Sequence, residues 1–405
     1  MNILFLTLVN LTSLDGKSIY EDLLREFIRN GHYITVISPQ SNHNSENTII
    51  ELGNAKIIKV QIGNIWSANK FIKGLNTIRI ESKYIQSIKA YLAHERFDLV
   101  LYSTPPITLC KAVSFVKKRD HAETYLMLKD IFPQNAVDIG LLSKKGCRRL
   151  IYSYFRRKEK ELYLLSNYIG CMSEANCEYL KLHNTYLDSS IVEVCPNISD
   201  VDDLSINNET KVQIRKKYGI PLDSKVFIYG GNLGKPQGIP FLVSCLKEQS
   251  FENAFFLIIG NGTEYATIEA FIKKTTLSNI RLYKRLPKTE YENLVSACDI
   301  GMIFLDHRFT IPNYPSRILS YMKAKLPVLA VTDVATDIGR TIEKGGFGWW
   351  CESDNVDNFI YTINRILSLP DSELKAMKEN SFAYLKLNYS PKVAYKTIIK
   401  HLEKS

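Results

Sequence analysis

The chain has 405 residues, of which 45% are hydrophobic and 23% are charged, and its net charge is +10. This length exceeds one ordinary core of about 100–200 residues, so the sequence predicts two domains. The composition is that of a globular protein and excludes the disordered and fibrous classes.

The first forty residues have the pattern of a strand, a helix and a second strand. Ile3–Val9 is an apolar strand, a polar loop covers 10–17, and Tyr33–Ser38 is the next strand. Between them, a set of apolar residues shares one face of a helix: Ile19, Leu23, Leu24, Phe27 and Ile28. The opening lacks the leading positive charge and the cleavage site of a signal peptide, and no run of 18 apolar residues occurs. We therefore expect any membrane contact to be peripheral.

The positive charge is concentrated in one region. From Lys56 to Lys160 the chain has 21 Lys and Arg against 8 Asp and Glu, which indicates an anionic partner. Residues 144–160 interleave basic and aromatic side chains, a composition suited to an anionic membrane surface. A second basic-aromatic patch, 66–73, contains Trp66, Lys70, Phe71 and Lys73. A solvated helix face or nucleic-acid binding would explain the same charge, but no recognised DNA- or RNA-binding module is present.

Two acidic segments are candidates for chemistry. Asp130 ends a predicted strand, Thr124–Lys129, where a carboxylate can accept a proton from an acceptor hydroxyl or orient it. A surface ion pair with Lys129 explains the same pattern. Asp200-Val201-Asp202 matches a D-x-D metal motif, but it lies in a linker, and we interpret it as a solvated loop.

A linker rich in Pro, Asn, Asp and Ser, 196–208, separates two α/β series. The first series closes near Ile191–Cys195, and the second alternates strands and helices, which predicts a parallel sheet. The strands predicted in the second series are Val226–Tyr229, Phe255–Ile259, Ile280–Tyr283, Ile300–Leu305 and Val328–Val331, and the helices cover about 239–249, 264–275, 289–297, 316–325, 355–367 and 372–387, with a last helix after Pro391. Two doubly wound domains leave a cleft between the carboxyl ends of their sheets, where ligands bind.

Two glycine segments end strands of the second series. The first, Gly230-Gly231-Asn232-Leu233-Gly234-Lys235, precedes a helix, and its glycines allow backbone N–H groups to approach an anion. A tight strand–helix turn is the alternative, because the segment matches neither a P-loop nor a dinucleotide fingerprint. The second segment, Gly260-Asn261-Gly262, lacks the third glycine of that fingerprint, and we interpret it as a turn.

The most informative segment is Ile311-Pro312-Asn313-Tyr314-Pro315-Ser316-Arg317. Its two prolines bracket a loop that opens the predicted helix 316–325. Ser316 is expected to be the N-cap or a first-turn residue of this helix, where the free N–H groups form an anion site. Arg317 adds a cation whose fork suits phosphate oxygens. Together these groups could hold a diphosphate without a metal, and the alternative is an ordinary capped helix with a surface arginine.

A wider set of short segments occurs in a characteristic order: Met172-Ser173-Glu174, Pro196-Asn197, Tyr229–Gly234 with Gln237-Gly238, Ala297-Cys298-Asp299-Ile300, and Pro315-Ser316-Arg317 with Tyr321-Met322. In this order and spacing the chain resembles family 4 of the GT-B glycosyltransferases. Within that family it is most similar to the N-acetyl-L-fucosamine transferases of bacterial O-antigen and capsule assembly. The resemblance covers about 170–370 and is weaker in the first domain, where Lys129–Gln134 echoes it.

The resemblance implies an α/β fold, GT-B, with two Rossmann-like doubly wound domains facing across a cleft. It implies an acceptor domain over 1–198, a nucleotide-sugar domain over 199–388, and a terminal helix in 389–405 that crosses back to the first domain. Binding of UDP is then expected from the backbone near Arg285, the helix start at Ser316, and a loop that approaches the phosphates from the first domain. The expected donor-site residues are Gly16, Lys17, Gly231, Asn232, Gly234, Arg285, Leu286, Tyr314, Pro315, Ser316 and Ser320, and the expected catalytic residues are Asp130, Lys235 and Arg317. The resemblance also implies retention of anomeric configuration, with no metal and no cofactor.

The sequence departs from the family at positions that grip the donor. The family often has two glutamates eight positions apart, one on the donor sugar and one on the ribose, and here these positions are Pro312 and Ser320. The common Arg and Lys of the glycine loop fall near Asn232 and Gln237, so Lys235 and Arg317 are expected to supply the charge. We hypothesise that these changes mark a preference for deoxy sugars, which offer fewer hydroxyls.

We therefore expect a glycosyltransferase of surface polysaccharide biosynthesis. It would move a sugar such as an N-acetylated deoxyhexosamine from a UDP-sugar to a polyprenyl-diphosphate-linked saccharide, with no nucleic-acid partner. The eight cysteines form no C-x-x-C pair and no zinc-spaced cluster, which fits a cytoplasmic protein at the inner face of the plasma membrane, docked through 144–160 and 66–73. The alternatives are a UDP-sugar 2-epimerase of the same fold and a non-catalytic basic protein that binds membranes or nucleic acid.

Overall fold

The structure is a computed structural model that describes residues 1–40, 47–62 and 70–403, with the backbone alone for 70–79. The chain divides into two compact units, Met1–Asp200 with Pro391–Ser405, and Val201–Ser390. The predicted α/β class is confirmed, because each unit is built on a largely parallel sheet with the connectivity of a Rossmann-like domain. The terminal helix belongs to the first unit rather than to the unit that precedes it in the chain.

Among the described residues, the first unit has an eight-stranded sheet. In chain order its elements before the linker are β1 (Asn2–Leu6), α1 (Ile19–Arg29), β2 (Tyr33–Pro39), β3 (Thr48–Glu51), β4 (Ala55–Val60), α2 (Lys70–Tyr91), β5 (Leu99–Ser103), α3 (Cys110–Asp120), β6 (Glu123–Leu128), α4 (Gln134–Asp138), α5 (Arg148–Leu165), β7 (Tyr168–Cys171), α6 (Glu174–His183) and β8 (Val192–Val194). The strand order is β3-β4-β2-β1-β5-β6-β7-β8, and β3 is antiparallel to β4. The direction of winding changes between β1 and β5, so ligand-binding loops are expected there.

The first helix shows how the sequence fixes these elements. The N–H of Glu21 donates to the Ser18 hydroxyl and the Ser18 N–H donates to the Glu21 carboxylate, a reciprocal capping box at the start of α1. Leu23, Leu24 and Phe27 are fully buried in the core of this unit. The strand before it, β1, ends at Leu6, three residues earlier than predicted, so the loop to α1 is longer than expected.

The second unit has a six-stranded sheet within the described part of the chain. Its elements are α7 (Asn208–Lys217), β9 (Lys225–Asn232), α8 (Ile239–Glu248), β10 (Ala254–Asn261), α9 (Tyr265–Lys274), β11 (Ile280–Tyr283), α10 (Lys288–Ser296), β12 (Ile300–Phe304), α11 (Arg317–Lys323), β13 (Val328–Thr332), α12 (Ile338–Lys344), β14 (Gly348–Glu352), α13 (Val356–Leu367) and α14 (Asp371–Asn388), and α15 (Pro391–Ile399) then returns to the first unit. The order is β11-β10-β9-β12-β13-β14, all parallel. The winding changes direction between β9 and β12, which is the expected position of a nucleotide site.

The glycines of β9 and β10 serve strand packing more than the sequence suggested. β9 continues to Asn232, three residues beyond the predicted end, and pairs with β10 along its whole length. A Cβ on Gly260 would lie 1.9 Å from the Gly231 carbonyl oxygen, and one on Gly230 would lie 2.0 Å from the Tyr291 hydroxyl. These glycines are therefore needed for close packing, and the interpretation of Gly260-Asn261-Gly262 as a turn is wrong for its first two residues.

Candidate functional site

The loop that follows β9 is held by one side chain. The Gln237 Oε1 atom accepts hydrogen bonds from the Gly234 N–H at 3.2 Å and from the Asn232 amide at 3.0 Å. The Tyr229 hydroxyl donates to the Asn232 carbonyl at 2.7 Å. These contacts fix the predicted donor-site residues Asn232 and Gly234 at the point where the sheet changes winding direction. Lys235 follows in a single 3-10 turn with an exposed side chain.

Arg317 is a charged residue with unusual surroundings. Its guanidinium carbon lies 4.5 Å from the centre of the Tyr229 ring, although the two residues are far apart in sequence. Its Nη1 atom is buried and has no hydrogen-bond partner, and in the described part of the chain no carboxylate lies within 4.0 Å of the guanidinium. Burial opposes the positive charge of Arg317, whereas the phenols of Tyr229 and Tyr321 favour it. The net effect is that the pKa of Arg317 is raised. The site thus holds a cation that no described carboxylate neutralises, and such a charge favours an anionic ligand.

Gly231 lies next to the Arg317 guanidinium. Its φ is +133°, a conformation that residues with a Cβ rarely adopt, and the residue is exposed. A Cβ on Gly231 would lie 3.2 Å from both Cζ and Nη2 of Arg317. The lack of a side chain at Gly231 therefore leaves space beside the guanidinium.

We expect Gly231→Ala to reduce UDP affinity by about tenfold or more, because the methyl group would lie against the guanidinium that an anion must approach. Gly219→Ala is the control: its φ of +60° also lies in the region that disfavours a side chain, and no atom lies within 4 Å of the added Cβ. Calorimetric titration with UDP and thermal melting should show a loss of stability in both variants and a loss of affinity in the Gly231 variant alone. Equal affinities would contradict the assignment.

The start of the helix after this loop differs from the prediction. α11 has seven residues, and Ser316 precedes it with helical dihedral angles and without a capping hydrogen bond. Of the two predicted roles of Ser316, the cap is therefore wrong, and a place in the first turn fits its conformation. The N–H groups of Ile318 and Leu319 donate to the Pro315 and Ser316 carbonyls at 3.3 and 3.1 Å. Among the described residues, this leaves the N–H groups of Ser316 and Arg317 without a backbone acceptor. The charge of Arg317, rather than a row of free amides, dominates this helix start.

Three other predicted donor-site residues have definite surroundings. Tyr314 is buried and its hydroxyl lies 2.5 Å from that of Tyr389, so its side chain is a core contact and a donor could meet only its backbone. The Arg285 N–H donates to Asn261 Oδ1 at 3.2 Å, which leaves the Arg285 carbonyl and the Leu286 backbone to contact a base. Ser320 is half-buried, four residues beyond Ser316 and on the same helix face.

In the first unit, Asp130 lies just after β6, close to the change of winding direction. The Asn135 amide nitrogen donates to both Asp130 carboxylate oxygens, at 2.7 and 2.9 Å. Burial raises the pKa of Asp130 to about 6, and the hydrogen bonds from Asn135 and Ile131 oppose this rise. The Lys129 ammonium instead donates to the carbonyls of Cys195 and Pro196, so the alternative of a surface ion pair between Lys129 and Asp130 is wrong. A carboxylate with this pKa can exchange a proton near neutral pH.

The other predicted residues of the first unit, Gly16 and Lys17, precede α1. A Cβ on Gly16 would lie 2.1 Å from Glu21 Oε1, so the helix start already holds a carboxylate. The Lys17 side chain is exposed. A phosphate at Gly16 would face the charge of Glu21, which disfavours the expected contact through this backbone. The role of Lys17 remains a prediction.

The two aspartates of the D-x-D motif contact different residues. Asp200 forms an ion pair with Arg25 at 2.8 Å, and Asp202 Oδ2 lies 4.0 Å from the Lys323 ammonium. Asp200 is therefore a paired residue and not a solvated loop side chain. In the parts of the chain that the structure describes, no three His, Cys, Asp or Glu side chains are grouped so as to hold a metal.

The basic segment 144–160 forms a loop and the greater part of α5. Leu150 is 79% exposed and Ile151 50% exposed, next to the exposed Arg148 and Arg149. Arg156 and Lys158 pair with Glu159 and Glu161, whereas the described ion pairs include none for Lys144, Lys145, Arg148, Arg149 or Arg157. No described helix has the length and apolarity needed to cross a membrane. In the second patch, Trp66 lies outside the described residues, as do the side chains of Lys70, Phe71 and Lys73.

One aromatic contact joins α5 to the Asp130 loop. The rings of Phe132 and Phe155 pack edge to face with their centres 4.9 Å apart. Both residues are half-buried. The exposed start of α5 and the loop of Asp130 are therefore parts of one packed region.

Sequence reasoning assigned no site role to several residues here, although Tyr229 and Tyr321 lie in segments that carry the family resemblance. Tyr229, Tyr321 and Asn135 contact predicted site residues, and Thr104 accepts from the Asp130 N–H at 3.2 Å. Asn135 was detectable, because an amide five residues beyond a carboxylate at a strand end is within reach of it. The contact of Tyr229 with Arg317 had no local signal, since it depends on the order of the strands.

Residues 210–383 match the family model of glycosyl transferases group 1. WbjE of Pseudomonas aeruginosa, named a probable glycosyltransferase, is 25% identical over 77% of this chain and 76% of its own length. WcaI of Escherichia coli K12, named as a candidate glycosyl transferase of colanic acid biosynthesis, is 21% identical over 72% of each chain. The Anabaena protein HepE, solved in complex with UDP and glucose, covers the whole of both chains with a TM-score of 0.69 at 13% identity, a likeness of fold alone. The matched family segment contains both Gly231 and Arg317.

Proposed function

We propose that this protein is a glycosyltransferase that uses a UDP-sugar in the biosynthesis of a surface polysaccharide. The observation that carries the proposal is the Arg317 guanidinium, which lies where the second sheet changes winding direction, has no carboxylate partner among the described residues and lies beside Gly231. The family match over 210–383, the name of the colanic acid relative and the UDP in the similarly folded HepE support it.

The proposed reaction needs charge stabilisation and an oriented nucleophile. The bond between the anomeric carbon and the β-phosphate oxygen breaks, and its electron pair leaves with UDP, whose new negative charge Arg317 stabilises. The acceptor hydroxyl oxygen forms the new bond to that carbon on the same face from which UDP leaves. Its proton passes to the Asp130 carboxylate and then to solvent. We propose that the reaction is metal-independent, because Arg317, with Lys235 nearby in sequence, supplies the positive charge, and that it retains the anomeric configuration, as the family resemblance implies.

The donor sugar is proposed to be an N-acetylated deoxyhexosamine such as N-acetyl-L-fucosamine. Pro312 and Ser320 replace the two glutamates that grip sugar and ribose in the family, which removes acceptors for sugar hydroxyls. A screen of UDP-sugars with a polyprenyl-diphosphate-linked saccharide tests the proposal, with transfer followed by mass spectrometry. Transfer from a deoxy donor at a higher kcat/KM than from its 6-hydroxy counterpart is expected. Conversion of a donor without any acceptor would indicate an epimerase, and absence of UDP binding would contradict the proposal altogether.

The acceptor is proposed to be lipid-linked, reached from the cytoplasmic face of the plasma membrane. The support is the exposed start of α5, where Arg148 and Arg149 flank the exposed apolar residues Leu150 and Ile151. Apolar side chains that enter the headgroup region beside unpaired cations are the features of a peripheral membrane contact. The second patch, 66–73, is proposed to act in the same way on sequence grounds.

We expect Arg148→Glu/Arg149→Glu to weaken binding to phosphatidylglycerol-rich vesicles by about tenfold or more, since each basic residue near an anionic surface contributes about 1 kcal/mol. Cosedimentation measures the change, and pure phosphatidylcholine vesicles should bind neither protein tightly. The control Lys216→Glu/Lys247→Glu changes the net charge equally at exposed lysines of the second unit. Loss of binding in the control as well would show that net charge, and not α5, determines vesicle binding.

A further inference from the structure

The side chain that holds Asp130 has one unsatisfied atom. Asn135 donates its amide hydrogens to both carboxylate oxygens of Asp130, at 2.7 and 2.9 Å. The other end of the same amide, the Asn135 Oδ1 atom, is buried and has no hydrogen-bond partner. A buried carbonyl oxygen without a donor is costly, and such atoms are uncommon in folded proteins. The amide thus leaves an acceptor beside the carboxylate.

The surroundings fix this arrangement from the backbone. Thr104, the residue after β5, is fully buried, and its hydroxyl accepts from the N–H groups of Lys129 and Asp130 at 3.0 and 3.2 Å. The Asn135 N–H donates to the Ile131 carbonyl at 3.1 Å, which anchors α4 to the same loop. The ends of β5 and β6 and the start of α4 therefore hold Asp130 and Asn135 in one orientation, next to the point where the sheet changes winding direction.

We propose that Asn135 is a positioning residue and an acceptor-binding residue of the transferase. Its nitrogen holds the Asp130 carboxylate, and its oxygen accepts a hydrogen bond from a second donor group of the acceptor sugar, a hydroxyl or acetamido N–H beside the attacking hydroxyl. The acceptor class is thus a saccharide whose nucleophilic hydroxyl has a neighbouring hydrogen-bond donor. This inference rests on the proposed function, in which Asp130 receives the proton of the attacking hydroxyl.

The charges that face Asp130 determine how loss of Asn135 would be detected. From α5, the negative charge of Glu159 raises the pKa of Asp130, while the Asn135 hydrogen bonds lower it. Lys129 donates to the Cys195 and Pro196 carbonyls and not to Asp130. Removal of the Asn135 amide therefore leaves burial and Glu159 acting in the same direction, and the pKa of Asp130 should rise further.

The test compares Asn135→Leu and Asn135→Asp with the native enzyme. We expect KM for the acceptor to rise about tenfold in the Leu variant, and the acid limb of the kcat/KM profile to move up by about one pH unit, because that limb reports the pKa of Asp130. The Asp variant keeps the side-chain shape, adds a second carboxylate and should move the limb at least as far. Carbon NMR of the Asp130 carboxyl, recorded without substrates, should show the same rise in pKa. KM for the donor should stay within twofold.

Gln134→Leu, on the same helix, is the matched control and should leave the acid limb unmoved, since Gln134 donates to Asp138 instead. An acid limb and an acceptor KM unchanged in both Asn135 variants, with Asp130→Asn inactive, would overturn this inference and leave the proposed function intact. Full turnover by Asp130→Asn would overturn both. If the Leu variant does not fold, as judged by melting and UDP binding, the Asp variant decides the outcome.

Discussion

Arg317→Met is expected to lower the affinity for UDP by about 100-fold and to leave the fold intact. Hydrogen bonds to a charged group contribute about 1.5–3 kcal/mol each, and each 1.4 kcal/mol is a factor of ten in affinity, so loss of two contacts to a diphosphate is sufficient. The guanidinium has no carboxylate partner among the described residues, so the free energy of unfolding should be unchanged or higher after its removal. Calorimetric titration with UDP measures the affinity and thermal melting the stability.

Two further arginine variants sharpen this result. Arg317→Lys keeps the charge but loses the planar stacking on Tyr229 and the fork geometry, so an intermediate loss of affinity is expected. Arg340→Met removes an exposed arginine of α12 in the same unit and should bind UDP like the native protein. UDP affinity that is equal in Arg317→Met and Arg340→Met would refute the proposed diphosphate site.

Asp130→Asn is expected to lower kcat by about 100-fold or more, the usual contribution of a positioned general base or acid. In the native enzyme the ionised carboxylate is the active form, so activity should fall as the pH decreases through the pKa of about 6. The Asn variant should retain UDP affinity, because the diphosphate residues belong to the other unit. A pH–rate profile between pH 5 and 8, together with UDP titration, checks both expectations, and unchanged turnover would exclude Asp130 from the reaction.

The same substitution has a predictable effect on stability. The pKa of Asp130 is raised above its unfolded value, so the folded state binds the proton more tightly and the native protein gains stability as the pH falls from about 6 towards 4. At neutral pH the buried charge is destabilising, by on the order of 3 kcal/mol. Asp130→Asn should therefore raise the melting temperature at pH 7.5 and have little effect near pH 4.

The sequence predicted the architecture because the apolar runs of the buried parallel strands are long and regular. It did not predict β14, Gly348–Glu352, whose Gly and Trp residues do not form an alternating pattern. Gly348 is required there because a Cβ would lie 1.9 Å from the Val328 carbonyl oxygen. A glycine that allows close strand pairing and a glycine that ends a strand look alike in one sequence, and this ambiguity also shortened the predicted β9.

The sequence predicted residues of the candidate site but not the contacts between them. Gly231 and Arg317 were both selected from local motifs, but their proximity and the stacking of Arg317 on Tyr229 arise from the order of β9 and β12. The residue type of Ser316 suited both a cap and a first-turn position, and only its helical dihedral angles decide against the cap. Likewise, the surroundings of Asp130 depend on Thr104 and Asn135, which different elements supply.

The uncompensated guanidinium of Arg317 has a consequence for the end of the proposed catalytic cycle. The diphosphate is common to the UDP-sugar and to the UDP that remains after transfer. A cation that binds it therefore does not distinguish the substrate from the product. The by-product then competes with fresh donor for the same charge, and turnover in the cell depends on how quickly free UDP is consumed elsewhere. Supply of acceptor and disposal of nucleotide would together set the rate of polymer growth.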